Sequence, residues 1–456
     1  MVKLTDEQKK LFYSGGNFFY YVFYFPEIDL EITNETIHQE SVTLTEAVCE
    51  GDEFALGGCI SSSLEFEVSE IMDIDITGLE FSATLYVNKD GDNYDLKLPM
   101  GSYRVLTALQ VDDKDYKKVT AYDALYDASI DVSEWYESYF PEEDTTHTLA
   151  EVRISLLEYL GLSYKKQTLL NDDVVIRKGI QAGNGLTGTG VLEMICVIHG
   201  GYGKINRDGL FEVTDTIGPA LFPEETLYPS EDLYPEDTFE YLGQNDEDGV
   251  YPEYIETKYE EYHTDMITCV NIRTTDDDVG VTYGDDTSNP YLITGNFLLY
   301  GLDTDTLNII AKNILSRIAD ITYIPNETTL TGLPYMETGD FFGLDKAKDY
   351  VESYIFSRTL TGIHAMRDKY VSKGGKVREN EVTANEEIMQ LKGRTLTLKK
   401  SVDEVSAEIY DFEDDTSTKF EMTNGQIVMK VDSKGKIAQV ELGKSADKGT
   451  EFLVSA

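Results

Sequence analysis

From residue 388 to 412 the core-type residues Ile388, Leu391, Thr395, Leu398, Val402, Val405, Ile409 and Phe412 recur at alternating steps of three and four. This is a heptad seam, a narrow stripe that a helix buries only against partner helices in a left-handed supercoil. A single copy supplies no partner, so the chain is expected to associate with itself. β-Branched Val402, Val405 and Ile409 fill both classes of core position, which favours three strands over two. Gly393 and Thr395 weaken the first turns. The competing reading is a helix laid on its own domain.

At 456 residues the chain is too long for one core, and three or four units of about 100 to 200 residues are expected. Its net charge of −47 repels phosphates and argues against sequence-specific DNA binding. The acidic excess lies almost wholly before Ser357, and over 358–400 basic residues outnumber the nearby acids, notably over 367–378. Cys49, Cys59, Cys196 and Cys269 form no Cys-x-x-Cys pair, so buried free thiols are expected rather than zinc or a disulfide scaffold. The N-terminus reads as a short helix with a Thr5/Gln8 capping box, not as a signal peptide. The longest apolar run, 18–25, is under half a membrane span. A soluble chain made in the cytoplasm is expected.

Residues 17–105 are β in pattern. The stretch 18–25 is aromatic on both faces, so that strand should be covered twice, by its core and by a neighbouring chain or a helix. Leu64, Phe66 and Val68 alternate with acids, and Phe81, Ala83, Leu85 and Val87 share a face, as in half-buried antiparallel strands. Lys89-Asp90-Gly91-Asp92 turns into 94–98. Thr148 and Glu151 form a second capping box for a helix ending at Gly161, and a helical stretch over 190–199 runs into a hairpin turning at Asn206-Arg207-Asp208-Gly209. A second β region with one helix, carrying Leu307, Ile310, Ile314 and Ile318, follows 263. After the seam, Ile427, Met429, Val431 and then Ala438, Val440, Leu442 alternate, which marks hairpins too small to bury a core alone.

Between these regions a six-residue unit occurs three times over 221–238, anchored by Leu221-Phe222, Leu227-Tyr228 and Leu233-Tyr234, with Pro223, Pro229 and Pro235 following. Proline at that spacing forbids a helix interior or a central strand and leaves an extended arm, either docked through its anchors or solvated as a linker. The acidic tract 244–261 extends it.

Chemistry-bearing motifs are sparse. Gly183-Asn184-Gly185-Leu186-Thr187-Gly188 fits G-x-G-x-x-G, but a hairpin stands where a dinucleotide fold needs a parallel strand. His199-Gly200-Gly201 lacks any G-x-S-x-G partner. His38, His147, His199, His263 and His364 make no H-E-x-x-H. Asp90, Asp92 and Asp95 lack the twelve-residue calcium loop and its closing glutamate. With 85 acidic residues, paired carboxylates arise by chance. No catalytic, metal or cofactor site is expected.

Several motifs in order resemble the tail-tip or baseplate hub proteins of tailed bacteriophages, including the hub portion of tail-associated lysins from phages of Gram-positive bacteria. They are Ile32-Thr33-Asn34-Glu35 with Glu40-Ser41-Val42-Thr43-Leu44-Thr45-Glu46, Leu64-Glu65-Phe66-Glu67-Val68, Ala121-Tyr122-Asp123-Ala124-Leu125-Tyr126-Asp127, the Leu-Tyr-Pro units, and Leu333-Pro334-Tyr335-Met336-Glu337-Thr338-Gly339-Asp340. They run between residues 17 and 373. The resemblance implies two tube-like barrels per chain, three copies in a pseudo-sixfold ring on the tail tube, and a central C-terminal spike at the virion's distal tip. Implied partners are further copies of the chain, distal tail or tail-tube proteins, the tape-measure protein and receptor-binding proteins, with DNA only in transit. No peptidase or glycosidase domain is recognisable, which puts wall degradation by this chain in doubt. Related injection-machine hubs, a hub-linked hydrolase and a surface adhesin are the alternatives.

The expected fold is α+β, mainly β. The expected units are an N-terminal β-barrel (1–128), an α+β domain (129–215), an acidic arm (216–262), a second β-barrel with one helix (263–372), a basic joint with a trimeric coiled coil (373–415), and an intertwined β spike (416–456).

Overall fold

The computed structural model describes residues 2–69, 73–111, 115–180, 182, 185–214, 239–242, 252–274, 280–346, 349–378, 416–423, 426–433, 436–445 and 449–455. The expected seam, 388–412, and the expected arm, 221–238, lie outside the described residues.

Helix α1 (Asp6–Tyr13) starts with the expected reciprocal capping box between Thr5 and Gln8, and its Phe12 stacks on Phe19 with ring centroids 5.8 Å apart. Seven strands follow: β1 (Phe19–Phe25), β2 (Leu30–Thr33), β3 (Thr43–Ala47), β4 (Ser63–Ser69), β5 (Glu80–Val87), β6 (Leu96–Gln110) and β7 (Tyr116–Tyr122). Period-2 burial in β4 and β5 matches the alternation in their sequences. The middle segment holds α2 (Ser133–Tyr139), β8 (Thr146–Thr148), α3 (Leu149–Tyr159), β9 (Val175–Arg177), α4 (Gly188–His199) and the hairpin β10 (Tyr202–Ile205)–β11 (Phe211–Thr214). Thr148 and Glu151 cap α3 reciprocally, and Gly200 ends α4 at φ 72°.

The sequence reads 216–262 as arm and linker, yet its far end carries two strands, β12 (Phe239–Leu242) and β13 (Tyr254–Tyr259). Next come β14 (Cys269–Ile272), β15 (Val281–Tyr283), β16 (Pro290–Ile293), α5 (Thr304–Ile318), β17 (Asn326–Thr331), β18 (Phe341–Lys346), β19 (Asp349–Tyr354), β20 (Ser357–Thr361) and β21 (Arg367–Ser372). β12 pairs in parallel with β18, and β13 pairs antiparallel with β17.

The described strands do not build two separate barrels. β20 pairs antiparallel with β3, from Ser357 opposite Ala47 to Thr361 opposite Thr43, and this joins the two β regions into one 11-stranded sheet ordered β13-β17-β21-β20-β3-β4-β7-β6-β5-β1-β2. Its ends are β13 and β2, so among the described residues the sheet is open. The region expected as a second barrel also divides between two cores. Val270, Ile272, Ile310 and Ile314 pack with Val152, Leu156 and Ile195 of the helical segment. Leu330, Leu360 and Tyr370 pack with Phe23, Phe66 and Leu85 of the first β region. Pairing β20 with β3 satisfies the backbone groups of two strands that would otherwise each be a sheet edge.

The C-terminal strands β22 (Thr416–Thr423), β23 (Gln426–Ser433), β24 (Lys436–Ser445) and β25 (Gly449–Ser455) form an antiparallel meander. Ile427, Met429 and Val431 face Leu442, Val440 and Ala438 in register, so the two alternating triplets are cross-strand partners. Among the described residues no helix is long and apolar enough to cross a membrane.

Candidate functional site: the junction of the two β regions

Three segments far apart in sequence meet at the β3–β20 seam. They are Glu46 on β3, Asp123 just beyond β7, and the 333–340 loop between β17 and β18. Strand alternation turns Arg358 of β20 inward, where it is 1% exposed, and sets it directly opposite Glu46. Its Nε and Nη2 donate to the Oδ1 and Oδ2 of Asp368 at 2.8 and 2.9 Å. Nη2 also donates to the Leu333 carbonyl at 2.9 Å, and Nη1 to the Met336 carbonyl and to Glu46 Oε2. Asp368 is itself buried on β21, and accepts from the Leu333 N–H at 2.9 Å and the Tyr370 hydroxyl at 3.3 Å. Burial alone would push the Arg358 pKa down, but Asp368 outweighs it and holds the guanidinium charged. A buried cation of this size is tolerable only with its donors matched, and the fork geometry of arginine matches them.

A second arginine clamps the loop from the other side. Arg207, in the β10–β11 turn, donates through Nε to Glu337 Oε1 at 2.8 Å, through Nη2 to the Pro334 carbonyl at 2.6 Å, and through Nη1 to the Pro99 carbonyl of β6 at 2.9 Å. Lys204 reaches Glu337 Oε2 at 3.4 Å. Burial raises the Glu337 pKa, but Lys204 and Arg207 overcome it and hold the carboxyl well below the usual range. The Tyr202 hydroxyl donates to the Thr338 carbonyl at 3.2 Å, and the Val2 N–H to the Tyr335 carbonyl at 2.9 Å. One loop is thus tied to β6, the hairpin, the seam and the N-terminal segment.

Asp123 accepts from Ser61 Oγ and the Ser62 N–H, both at 2.8 Å, and from the Leu125 N–H at 3.0 Å. Burial nevertheless pushes its pKa up to about 6. The cleft between Glu46, Ser102, Asp123, Lys204, Arg207 and Glu337 encloses about 20 Å³, room for roughly one water. Matched ions around a water-sized space bind segments together.

The other segments singled out in sequence serve local structure. Gly185 of the glycine motif donates its N–H to Asp131 Oδ2 at 2.8 Å, and Thr187 caps α4. His199 receives Arg153 Nη1 on Nε2 at 2.6 Å and meets the Leu170 carbonyl through Nδ1 at 2.6 Å, which fixes the hydrogen on Nδ1. Cys59 and Cys196 lie 3.7 Å apart at sulfur, and all four cysteines are buried and free. Among the described residues no group of three His, Cys, Asp or Glu is placed to hold a metal ion. The basic joint folds back: Lys373 Nζ donates to Asp52 Oδ2 at 2.6 Å, and the Arg378 guanidinium lies 4.5 Å from the Tyr291 ring centroid. Arg358, Asp368 and Arg207 escaped the sequence reading. The one signal was at Arg358, an arginine at an inward position of an alternating strand.

No family model and no curated protein matches the chain. Among solved structures it is similar to a tail protein from Neisseria meningitidis (10% identity, TM-score 0.42, covering 79% of this chain and 98% of that one). It is also similar to a prophage tail protein from Shewanella oneidensis (11%, 0.43, 77% and 97%). A third is a prophage tail protein from Listeria monocytogenes (12%, 0.42, 83% and 99%).

Proposed function

We propose that the chain is a structural protein of a bacteriophage tail, a homotrimeric hub that closes the distal end of the tail tube and carries a central spike. The β3–β20 pairing carries this reading. It makes one sheet from two β regions, and among the described residues that sheet has an edge at each end, β2 and β13, for a copy on either side. Head-to-tail pairing of those edges closes a ring if the rotation per copy divides the circle, and the β-branched residues of the heptad stripe over 388–412 favour three copies. The motifs that resemble hub proteins support it too, because the 40–46, 121–127 and 333–340 segments meet at this seam. Three copies of β22–β25 then share a core that one copy cannot close.

The work of such a hub is mechanical: it plugs the channel, then opens or is displaced when the tip meets a cell, and the genome passes. Acidic side chains lining the lumen keep DNA from adhering. Tail-tube, tape-measure and receptor-binding proteins are its neighbours. The deciding measurement is the solution mass of the full chain and of a chain ending at Asn380. A trimer that weakens on truncation is expected, and a monomeric full chain sinks the reading.

A further inference from the structure

The outward face of the first β region carries an aromatic row with two lysines laid over it. Tyr20 of β1 stands opposite Tyr86 of β5, and Tyr86 stands opposite Lys97 of β6. Lys89 Nζ lies 5.0 Å from the Tyr20 ring centroid and 4.6 Å from that of Tyr86, and Lys97 Nζ lies 5.6 Å from Tyr86. Tyr94 meets Tyr86 edge-on at 5.2 Å and is 44% exposed, and Phe18, two residues before Tyr20, is 71% exposed. The inward neighbours Tyr21, Phe23, Leu85 and Leu98 are buried in the core. The strand expected to be covered on both faces is fully covered on one and partly on the other, where Val22 is buried, Tyr20 half-buried and Tyr24 36% exposed. Aromatic rings left at the surface in a row are a contact surface, and cations over their faces favour an anionic partner.

We propose that this row binds the chain's own acidic, proline-punctuated arm, residues 221–238. A polyproline-type segment makes no internal hydrogen bonds and docks on spaced aromatic rings, its proline rings flat on tyrosine faces and its free carbonyls toward tyrosine hydroxyls. Each unit of the arm pairs a leucine and an aromatic residue with proline and then acids: Glu224 and Glu225, Glu231 and Asp232, Glu236 and Asp237. Those carboxylates suit Lys89 and Lys97. The β5–β6 loop also holds Asp90, Asp92 and Asp95, of which Asp95 accepts from Asn88 Nδ2 at 2.9 Å, so the lysines and rings, not the net charge, select the arm.

Chain length allows the same copy. Arg207 in the β10–β11 turn donates to the Pro99 carbonyl, two residues along β6 from Lys97 and on the same outward face. The arm follows Thr214, at the open end of that hairpin away from the turn, and precedes Phe239. At about 3.1 Å per residue, residues 215–238 would extend to roughly 70 Å, so the arm has length to reach a surface of its own copy.

The test uses the full chain with Tyr94→p-benzoylphenylalanine, in a mixture of isotopically heavy and light copies. Photo-crosslinks to 221–238 within one copy are expected. Crosslinks to another segment, or between heavy and light copies, overturn the inference. A second readout is glutamyl endoproteinase cleavage within the arm, expected to be at least fivefold slower than in a free peptide of the same sequence. Lys89→Glu with Lys97→Glu should bring it within twofold of the peptide while the thermal midpoint holds, and Lys89→Arg should keep protection. If that double variant does not fold, Tyr94→Ala gives the same reading. Peptide-like cleavage of the unaltered chain overturns the inference. A monomeric chain that still protects its arm keeps this inference and loses the trimeric hub.

Discussion

The Arg358 guanidinium meets the Asp368 carboxylate in a two-point contact, Nε to Oδ1 at 2.8 Å and Nη2 to Oδ2 at 2.9 Å, with both side chains buried. The pair holds more than itself, because each partner also fixes the Leu333 backbone, one through its carbonyl and the other through its N–H. Removing one charge strands the other. Arg358→Met is expected to lower stability by about 3–5 kcal/mol in urea unfolding. Arg358→Met with Asp368→Leu should recover part of that loss, since no lone charge is left buried. A double variant as unstable as the sum of both single ones would mean that the ions do not act as a pair.

Gly339 sits at φ 89°, and a Cβ there would run into the Tyr202 hydroxyl. Two penalties therefore fall on Gly339→Ala, a left-handed backbone and a clash. Its thermal midpoint should drop by several degrees, and Tyr202→Phe in the same chain should restore only the part owed to the hydroxyl, since the ring carbon Cζ would stay 2.8 Å from the added Cβ. Differential scanning of the four chains separates the two. Equal midpoints for Gly339→Ala with and without Tyr202→Phe would mean that the hydroxyl adds nothing to the penalty.

The sequence made local structure readable and long-range pairing opaque. Both capping boxes, the Asn206–Gly209 turn and the apolar triplets of β23 and β24 are set by residues a few positions apart. The seam is not: Arg358 and Glu46 are 312 positions apart, and no periodicity within β3 or β20 says which strand each will meet. β13 was hidden for another reason. Its residues are half-buried or exposed along its whole length, as befits an edge strand, so it shows none of the apolar alternation that marks a strand from sequence. At the junction the 333–340 segment stood out as a motif, but its buried partners Arg358 and Asp368 looked like ordinary charged strand residues.

Glu193 on α4 has its pKa pushed up to about 7, first by burial and then by the nearby charge of Glu50. An unfolded glutamate titrates near 4.3. The folded chain therefore holds the extra proton between these values, and this contribution is fully present below the lower one and lost as pH rises through about 7. The charged form costs on the order of 3 kcal/mol. Glu193→Gln should match the unaltered chain near pH 4 and exceed it at pH 8 in denaturant unfolding. A constant difference across that range would mean that Glu193 does not titrate in it.

His199 runs in the opposite direction. Burial first, and then the charge of Arg153, pushes its pKa down to about 4, while its Nε2 is already occupied by the Arg153 N–H. An unfolded histidine titrates near 6.5, so between about 4 and 6.5 the unfolded chain holds more protons. Stability from this group is complete above about 6.5 and is lost as pH falls toward 4. Asp123 and Glu193, both with raised pKa, oppose it over the same range, so the raw pH profile of the chain mixes the signs. The difference between the unaltered chain and His199→Gln isolates the histidine. Glutamine can still accept from Arg153 but takes up no proton, so the free-energy gap between the two chains should change steadily in favour of His199→Gln as pH drops from 6.5 to 4, and stay flat from 7 to 8. A gap that is flat throughout would show that His199 binds its proton equally in both states.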